Sequence, residues 1–468
     1  MKSYHFFCLW TSLWLLHGLA YSQYDNDYVP MDSLGLRTER LIDDIHNDIA
    51  GVKAALPKSS RSELKEIFER KADLLEKRLK SNHFVNDTEV EMLVNKVYAE
   101  IVSKNPRKGY PTRIMISRSA IPNASCWGEG TMIINLGLLS RLRTESELAF
   151  IMAHEMAHQL LDHVNQASVD ALKRRNDKSI KKRAEAFGKL EVLKDIMYDD
   201  AKYSRKKEHE ADSMAVVLLR NTNYQWLVYE DVLNILDSAD YPEIVKTPDL
   251  RSRFNFKQYT FKDKWLRPPD SGLGKSANTG LFSTDSVKSH PNISKRIAYL
   301  DSMFNKQNQV QETKKTISTS LQRRIDLELV SSSYILKDYA KSMFYTLQML
   351  DHYPQNRFLK THLARLLVQL HLSRKNHTYS RYVGVSNYYP KMMEEVFIFL
   401  NNLRMSEIGK LAYNYINRDS VFDKANEEHY YLLFTVSTAL ENLEVSEKVL
   451  EAYETVFPDG KYLKAMKY

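Results

Sequence analysis

The chain has 468 residues, of which 43% are hydrophobic and 27% are charged, an ordinary globular balance with enough apolar material for a core. This length predicts two or three domains. The net charge of +8 comes from 67 basic and 59 acidic residues that are interspersed along the chain, which favours a mixed solvated surface. With no recognisable nucleic-acid-binding module, we expect no nucleic-acid partner.

The first 22 residues have the organisation of a secretory signal peptide. Lys2 is basic, Phe6–Leu19 is mostly apolar, and Ala20-Tyr21-Ser22 has the small-x-small spacing of a cleavage site. The alternative is a membrane anchor, but the apolar stretch is interrupted and short for a span. We therefore predict an exported chain that begins at Gln23 after cleavage and has no transmembrane span.

Cleavage would leave Cys126 as the only cysteine. An intramolecular disulfide is then impossible, and the fold must be stable without one. A lone cysteine can act as a nucleophile, but a buried or half-buried thiol without a catalytic role is favoured.

The apolar periodicity predicts helices first, then short strands rich in β-branched residues, then further helices. Asp87 stands where the N-cap of the second helix is expected, and Ile121–Gly130 is expected to be a loop between two strands. The predicted helices cover residues 60–80, 88–103, 145–161 and 208–219, and the predicted strands cover Arg113–Ser117 and Thr131–Asn135.

The last third of the chain is predicted to be entirely helical. A stretch rich in Pro, Gly and Ser at 267–292 precedes it and predicts a loop or flap. Pro354, Pro390 and Pro458 are separated by 36 and 68 residues, near one and two units of a ~34-residue helical-hairpin repeat. An irregular helical bundle and a degenerate tetratricopeptide-like repeat are both left open.

The segment His154-Glu155-Met-Ala-His158 points to metal chemistry. Residues four apart on a helix lie one turn above another, so both imidazoles can reach one Zn²⁺. Glu155 projects about 100° round the helix from His154, where it can take a proton from an attacking water as general base. By itself the motif also fits a pair of histidines in a hydrophobic core.

A second segment supplies the third ligand that catalytic zinc needs. Glu208 and Asp212 are four apart on a predicted helix, so Glu208 can bind the metal while Asp212 accepts the free ring N–H of a ligand histidine. His209 is a rival ligand, and Glu210 is expected to point elsewhere. The alternative, a charged surface helix, is disfavoured by the apolar residues that follow.

Together these motifs resemble the zinc metallopeptidase family of HtpX and the CAAX prenyl proteases. Glu208-x-x-Ala-Asp212 matches its second metal segment, Gly130–Leu139 resembles its strand and Gly-Leu turn, and His290-Pro291 with Arg296 resembles its His-Pro segment. The resemblance covers about residues 85–305. The polar stretch between the two motifs differs from the membrane members of the family, which have hydrophobic spans around the metal core. The signal peptide and the helical C-terminal region resemble the soluble periplasmic, BepA-like branch.

The resemblance implies a mainly α (α+β) fold, with a gluzincin-type core that contains a small β-sheet. It implies one zinc per chain bound by His154, His158 and Glu208, with Glu155 and, less directly, His290 as catalytic residues. The strand at 131–135 is expected to be the edge to which a substrate strand adds. The expected domains are a signal peptide at 1–22, a helical segment at 23–84, a zinc metallopeptidase domain at 85–310 and a helical domain at 315–468.

The expected function is therefore an exported zinc metalloendopeptidase that cleaves polypeptide substrates, with a role in envelope protein quality control. The periplasm is favoured over secretion or membrane association, and the helical C-terminal region is expected to hold an envelope protein partner. The rival hypothesis is a chaperone-like binding protein with a latent metal site. Glu155 disfavours the rival, because a protein that only binds has no need of a carboxylate there.

Overall fold

The computed structural model of the protein describes residues 28–55, 61–176, 189–237, 247–268, 293–304, 315–384 and 391–467. The chain divides into two compact units that are interleaved in sequence. The site unit is formed by Met31–Ala239 with Ser276–Ile325, and the helical unit by Met1–Pro30, Asp240–Lys275 and Asp326–Tyr468. The domain ranges expected from the sequence stay a prediction.

The site unit holds a five-stranded sheet and most of the helices that surround it. Its elements in chain order are β1 (Asp32–Ser33), α1 (Arg37–Ala55), α2 (Arg61–Lys80), β2 (Phe84–Asn86), α3 (Thr88–Lys104), β3 (Arg113–Ser117), β4 (Ala124–Cys126), β5 (Thr131–Asn135), α4 (Leu136–Leu139), α5 (Glu145–Leu160), α6 (His163–Asn176), α7 (Lys189–Arg220), α8 (Tyr229–Asp237) and α10 (Ile293–Met303), with α9 (Leu250–Arg253) of the helical unit between the last two.

The sheet has the strand order β1-β2-β3-β5-β4. Strands β3 and β5 run parallel, with Arg113 opposite Thr131, and the other neighbours are antiparallel. The two predicted strands are therefore confirmed. The expectation that 131–135 forms a free edge is wrong, because β4 pairs with β5 from Ala124 to Cys126 and covers it. A three-residue strand inside a predicted loop is too short for periodicity to reveal.

One face of the sheet is covered by the hairpin of α1 and α2. Ile45 and Ile49 of α1 and Phe68 and Leu75 of α2 are buried together with Ile133 of β5. Burying a side chain of this kind contributes about 1.5–3 kcal/mol. The apolar residues that predicted the 60–80 helix therefore attach it to β5, an interior strand of the sheet.

Helix α5 begins where its sequence dictates. The Thr144 hydroxyl accepts a hydrogen bond from the Glu147 backbone N–H at 3.2 Å, and the Glu147 carboxylate accepts one from the Thr144 N–H at 2.9 Å, a reciprocal capping box. Just upstream, a β-carbon at Gly137 would overlap the carbonyl oxygen of Ala120, so this turn requires glycine. The turn and the cap together fix where α5 leaves the sheet.

The helical unit is built around a separate apolar core. Trp265 is fully buried, with its ring centroid 5.1 Å from Phe261 and 6.1 Å from Phe399. Besides α9, its helices are α12 (Tyr339–His352), α13 (Arg357–Lys375), α14 (Ser380–Val383), α15 (Glu394–Asn402), α16 (Met405–Ile416), α17 (Glu427–Ala439), α18 (Leu443–Val456) and α19 (Leu463–Lys467), and α11 (Thr319–Ile335) runs in the chain from one unit to the other.

The predicted fold class, mainly α with a small sheet and a helical C-terminal region, is confirmed. The repeat-like organisation of that region stays a prediction. None of the described helices is both long and apolar enough to cross a membrane. The predicted signal peptide at 1–22 and most of the predicted flap lie outside the described residues.

Candidate metal centre

Helices α5 and α7 bring the predicted metal ligands together. They pack against each other, and α5 also contacts α3 and β4. The Nε2 atoms of His154 and His158 lie 3.1 Å apart. The Glu208 carboxylate of α7 lies 3.6 Å from His154 Nε2 through one oxygen and 3.4 Å from His158 Nε2 through the other. Within the described residues, this is the one group of three His, Cys, Asp or Glu side chains placed to hold a metal ion.

The geometry of this group fits Zn²⁺. A tetrahedral site with ligands at 2.0–2.1 Å places neighbouring ligand atoms roughly 3.3 Å apart, and the three observed separations span 3.1–3.6 Å. The side chains of His154 and Glu208 are only 4% and 6% exposed. His158 is half-buried. With both Nε2 atoms unprotonated, the three groups would direct lone pairs at one another and repel, and a shared cation removes that repulsion.

Asp212 lies one turn beyond Glu208 and is fully buried. Its carboxylate lies 2.9 Å from His154 Nδ1, which favours a proton on Nδ1 and leaves the Nε2 lone pair for a metal. Burial alone would raise the pKa of Asp212, but the Arg296 guanidinium and His154 lower it to about 2. Burial also lowers the pKa of His154, which favours the neutral imidazole that a metal requires.

Arg296 of α10 joins both carboxylates of α7. Its guanidinium binds the Asp212 carboxylate through Nε at 2.7 Å and Nη2 at 2.6 Å, and its Nη1 lies 2.9 Å from Glu208. The arginine is 1% exposed. Burial opposes its charge, yet the two carboxylates raise its pKa. Arg296 therefore holds Glu208 and Asp212 in one arrangement. In the sequence, Arg296 is distinguished only by its part in a family resemblance.

Glu155 of the metal helix lies against strand β4. The backbone N–H of Cys126 donates to the Glu155 carboxylate at 3.0 Å, and the Cys126 thiol donates to the Glu155 backbone carbonyl at 2.9 Å. Cys126 is buried, and burial raises the pKa of its thiol well above the usual value, which favours a neutral thiol over an activated nucleophile. Strand β4 thus fixes the orientation of the expected general base.

The remaining candidates are placed differently. The ring of His209 packs edge-on against Tyr299, with centroids 4.1 Å apart, so His209 does not join the three converging groups. Glu210, which was expected to point elsewhere, reaches His163 at 3.2 Å. His290 lies outside the described residues, and its catalytic role stays a prediction.

Two comparisons bear on this centre. Residues 85–304 match the family model described as Peptidase family M48, a range that contains both metal segments and Arg296. No curated protein matches the chain. Residues 85–304 are therefore similar to Peptidase family M48, and this similarity points to a metallopeptidase.

Proposed function

We propose that the protein is a zinc-dependent endopeptidase that hydrolyses peptide bonds of proteins. The observation that carries the proposal is the convergence of His154 Nε2, His158 Nε2 and the Glu208 carboxylate within 3.1–3.6 Å in a buried site. The match to a peptidase family over residues 85–304 supports it. Polypeptides are the substrates that such an activity implies.

Each residue of the centre has one task in this proposal. His154, His158 and Glu208 hold a single Zn²⁺. When bound, the metal supplies a Lewis acid that polarises a peptide carbonyl and makes water more acidic. Glu155 takes the proton from the attacking water and delivers it to the leaving amine. Asp212 keeps the proton of His154 on Nδ1.

The position of Glu155 supports its part in proton transfer. Its carboxylate is buried and accepts the Cys126 backbone N–H at 3.0 Å. This hydrogen bond engages one carboxylate oxygen and restricts the rotamer, which keeps the group near the metal ligands of its own helix. A positioned carboxylate of this kind typically contributes 10²–10⁴-fold to a proton-transfer step.

The biological setting of the proposal rests on the sequence. The composition of residues 1–22 supports export, and the BepA-like resemblance supports the periplasm and a role in envelope protein quality control. In this proposal the tetratricopeptide-like C-terminal region holds an envelope protein partner, and His290 acts beside the metal.

The test measures bound zinc and casein cleavage for the purified protein, Glu155→Gln and a matched control, Glu66→Gln. Glu66 is exposed and pairs with Arg70 on the surface of α2. We expect near one zinc per chain in all three proteins, with cleavage by the wild type and the control and at least a roughly 100-fold loss in Glu155→Gln.

Two other outcomes would contradict the proposal. Zinc in all three proteins with no cleavage by any of them would favour the rival function, a chaperone-like binding protein with a latent metal site. Absence of zinc from the wild type would overturn the assignment of the ligands.

A further inference from the structure

His163 lies directly behind one of the proposed metal ligands. It is the first residue of α6, and its side chain is 6% exposed. Its Nδ1 lies 3.1 Å from Nδ1 of His158, and its Nε2 lies 3.2 Å from the Glu210 carboxylate of α7. His158, His163 and Glu210 therefore form a continuous row of polar contacts that leads away from the metal-binding nitrogen.

The protons along this row follow from the number that each ring can carry. A neutral imidazole has one N–H and one lone pair. If His158 Nε2 binds the metal, its proton is on Nδ1, from which it can be donated to His163 Nδ1 at 3.1 Å. His163 must then carry its own proton on Nε2, where the Glu210 carboxylate accepts it. This arrangement of protons satisfies both contacts of the row.

We propose that His163 and Glu210 position His158 for the metal, as Asp212 positions His154. This inference rests on the proposed metal centre. Helix α7 then supports every ligand: Glu208 binds directly, Asp212 contacts His154, and Glu210 acts on His158 through His163. Partners of this kind orient a ligand histidine and raise its basicity.

Two backbone features fix His163 in this place. Asp162 adopts a left-handed conformation, with φ of 56°, which ends α5 and turns the chain so that α6 begins beside His158. The buried Lys207 of α7 donates to the His163 backbone carbonyl at 2.9 Å. The ring of His163 is thus held against α7 independently of its own hydrogen bonds.

The test measures the zinc dissociation constant of the purified protein by competition with a chromophoric chelator. The variants are His163→Phe, which keeps the ring but no acceptor, His163→Asn, which keeps an acceptor near the Nδ1 position, and Glu210→Ala. The matched control is His209→Phe, which changes a histidine between Glu208 and Glu210 that lies outside the row.

We expect His163→Phe to weaken zinc binding about 10–100-fold, His163→Asn and Glu210→Ala to weaken it less, and His209→Phe to leave it unchanged. Because Glu210 acts only through His163, the double variant His163→Phe/Glu210→Ala should match His163→Phe alone. A purely packing role would reverse the order, since Phe fills the space of His163 better than Asn does.

Three results would overturn the inference while the wild type still binds zinc: an unchanged dissociation constant in His163→Phe, weaker binding by Asn than by Phe, or effects of His163 and Glu210 that multiply in the double variant. Far-ultraviolet circular dichroism of each metal-free variant identifies any that fails to fold, and Glu210→Ala, at a half-exposed position, tests the row without altering the core. Failure of the wild type to bind zinc would instead contradict the proposed function.

Discussion

Both units of this protein bury histidines, and the two groups differ in what surrounds their ring nitrogens. In the helical unit, His429 Nε2 bonds the Thr361 hydroxyl at 2.7 Å and its Nδ1 accepts the Asp423 backbone N–H at 2.9 Å. Each ring nitrogen of His429 therefore has its own hydrogen-bond partner. In the site unit, Nε2 of His154 and Nε2 of His158 point at each other and at the same carboxylate.

The comparison shows that burial of histidine does not by itself indicate a metal site. Buried polar groups must be hydrogen-bonded, and the His429 environment meets that requirement within the protein. The site unit leaves three lone-pair donors directed at one point, an arrangement that a cation completes. Convergence, and not burial, distinguishes the proposed metal centre.

The largest expected effect tests this difference directly. We expect His158→Phe to weaken zinc binding by more than about 100-fold, because losing only a partner behind a ligand already costs 10–100-fold. His429→Phe should retain near one zinc per chain, although losing its two hydrogen bonds destabilises the helical unit by about 1–3 kcal/mol. Measuring the zinc content of the two purified variants tests this difference. Equal zinc in both variants would contradict it.

Arg296 allows a second comparison of the two units, because its ion pairs are buried whereas that of Arg251 in the helical unit is largely exposed. Arg296→Met leaves Asp212 and Glu208 as uncompensated buried carboxylates, so we expect the metal-free protein to lose about 3–5 kcal/mol of unfolding free energy. Arg251→Met removes a pair with Asp263 in the helical unit that is largely exposed, and should cost less than about 1 kcal/mol. Urea unfolding in the presence of a chelator measures the unfolding free energy of each variant. Similar losses in the two variants would contradict the expected difference between buried and exposed ion pairs.

Glu407 gives the helical unit a pH dependence of its own. Its carboxylate accepts the Arg404 backbone N–H at 3.1 Å and lies 3.0 Å from Lys264. Burial opposes its charge, but these partners lower its pKa from 4.5 to about 2. A lowered folded-state pKa stabilises the fold above about pH 4.5, and this contribution disappears as the pH falls towards 2.

We therefore expect Glu407→Gln to lower the unfolding free energy by about 2 kcal/mol at pH 7, a value reduced because the lysine partners are half-exposed. The difference from the wild type should shrink between pH 4.5 and 2. Urea titrations across this range follow the effect, and a difference that stayed constant with pH would show that the charge of Glu407 has no part in it.

The smallest expected effect concerns the start of the metal helix. Thr144→Ala removes the hydroxyl that accepts the Glu147 N–H, and the loss of such a cap typically costs about 1 kcal/mol. Zinc content should not change, because the metal ligands lie more than two turns further along α5. Thermal unfolding measures the stability of Thr144→Ala, and a parallel assay measures its zinc content. A loss of zinc would mean that the cap positions the metal ligands.

Much of the site unit can be predicted from the sequence, because its signals are local. The helix at 61–80, the N-cap at Asp87 and the strands β3 and β5 follow from periodicity and capping within short windows. The four-residue spacings of His154 with His158 and of Glu208 with Asp212 also give the faces of two helices. That these faces meet is confirmed by the contacts.

The remaining features depend on contacts between segments that are distant in sequence. Strand β4 exists because β5 offers it a partner, not because its three residues form a pattern. Residues 247–268 join the later helices through the burial of Trp265, which no local pattern reveals. The role of Glu210 follows only once α6 places His163 beside α7.

The most direct test of the central claim is a crystal structure of the full chain grown with zinc and measured at the zinc absorption edge. We predict one anomalous peak about 2.0–2.1 Å from His154 Nε2, His158 Nε2 and a Glu208 carboxylate oxygen, with His209 and His429 far from it. A peak bound by other residues, or no peak at this centre in protein that binds zinc, would contradict the account.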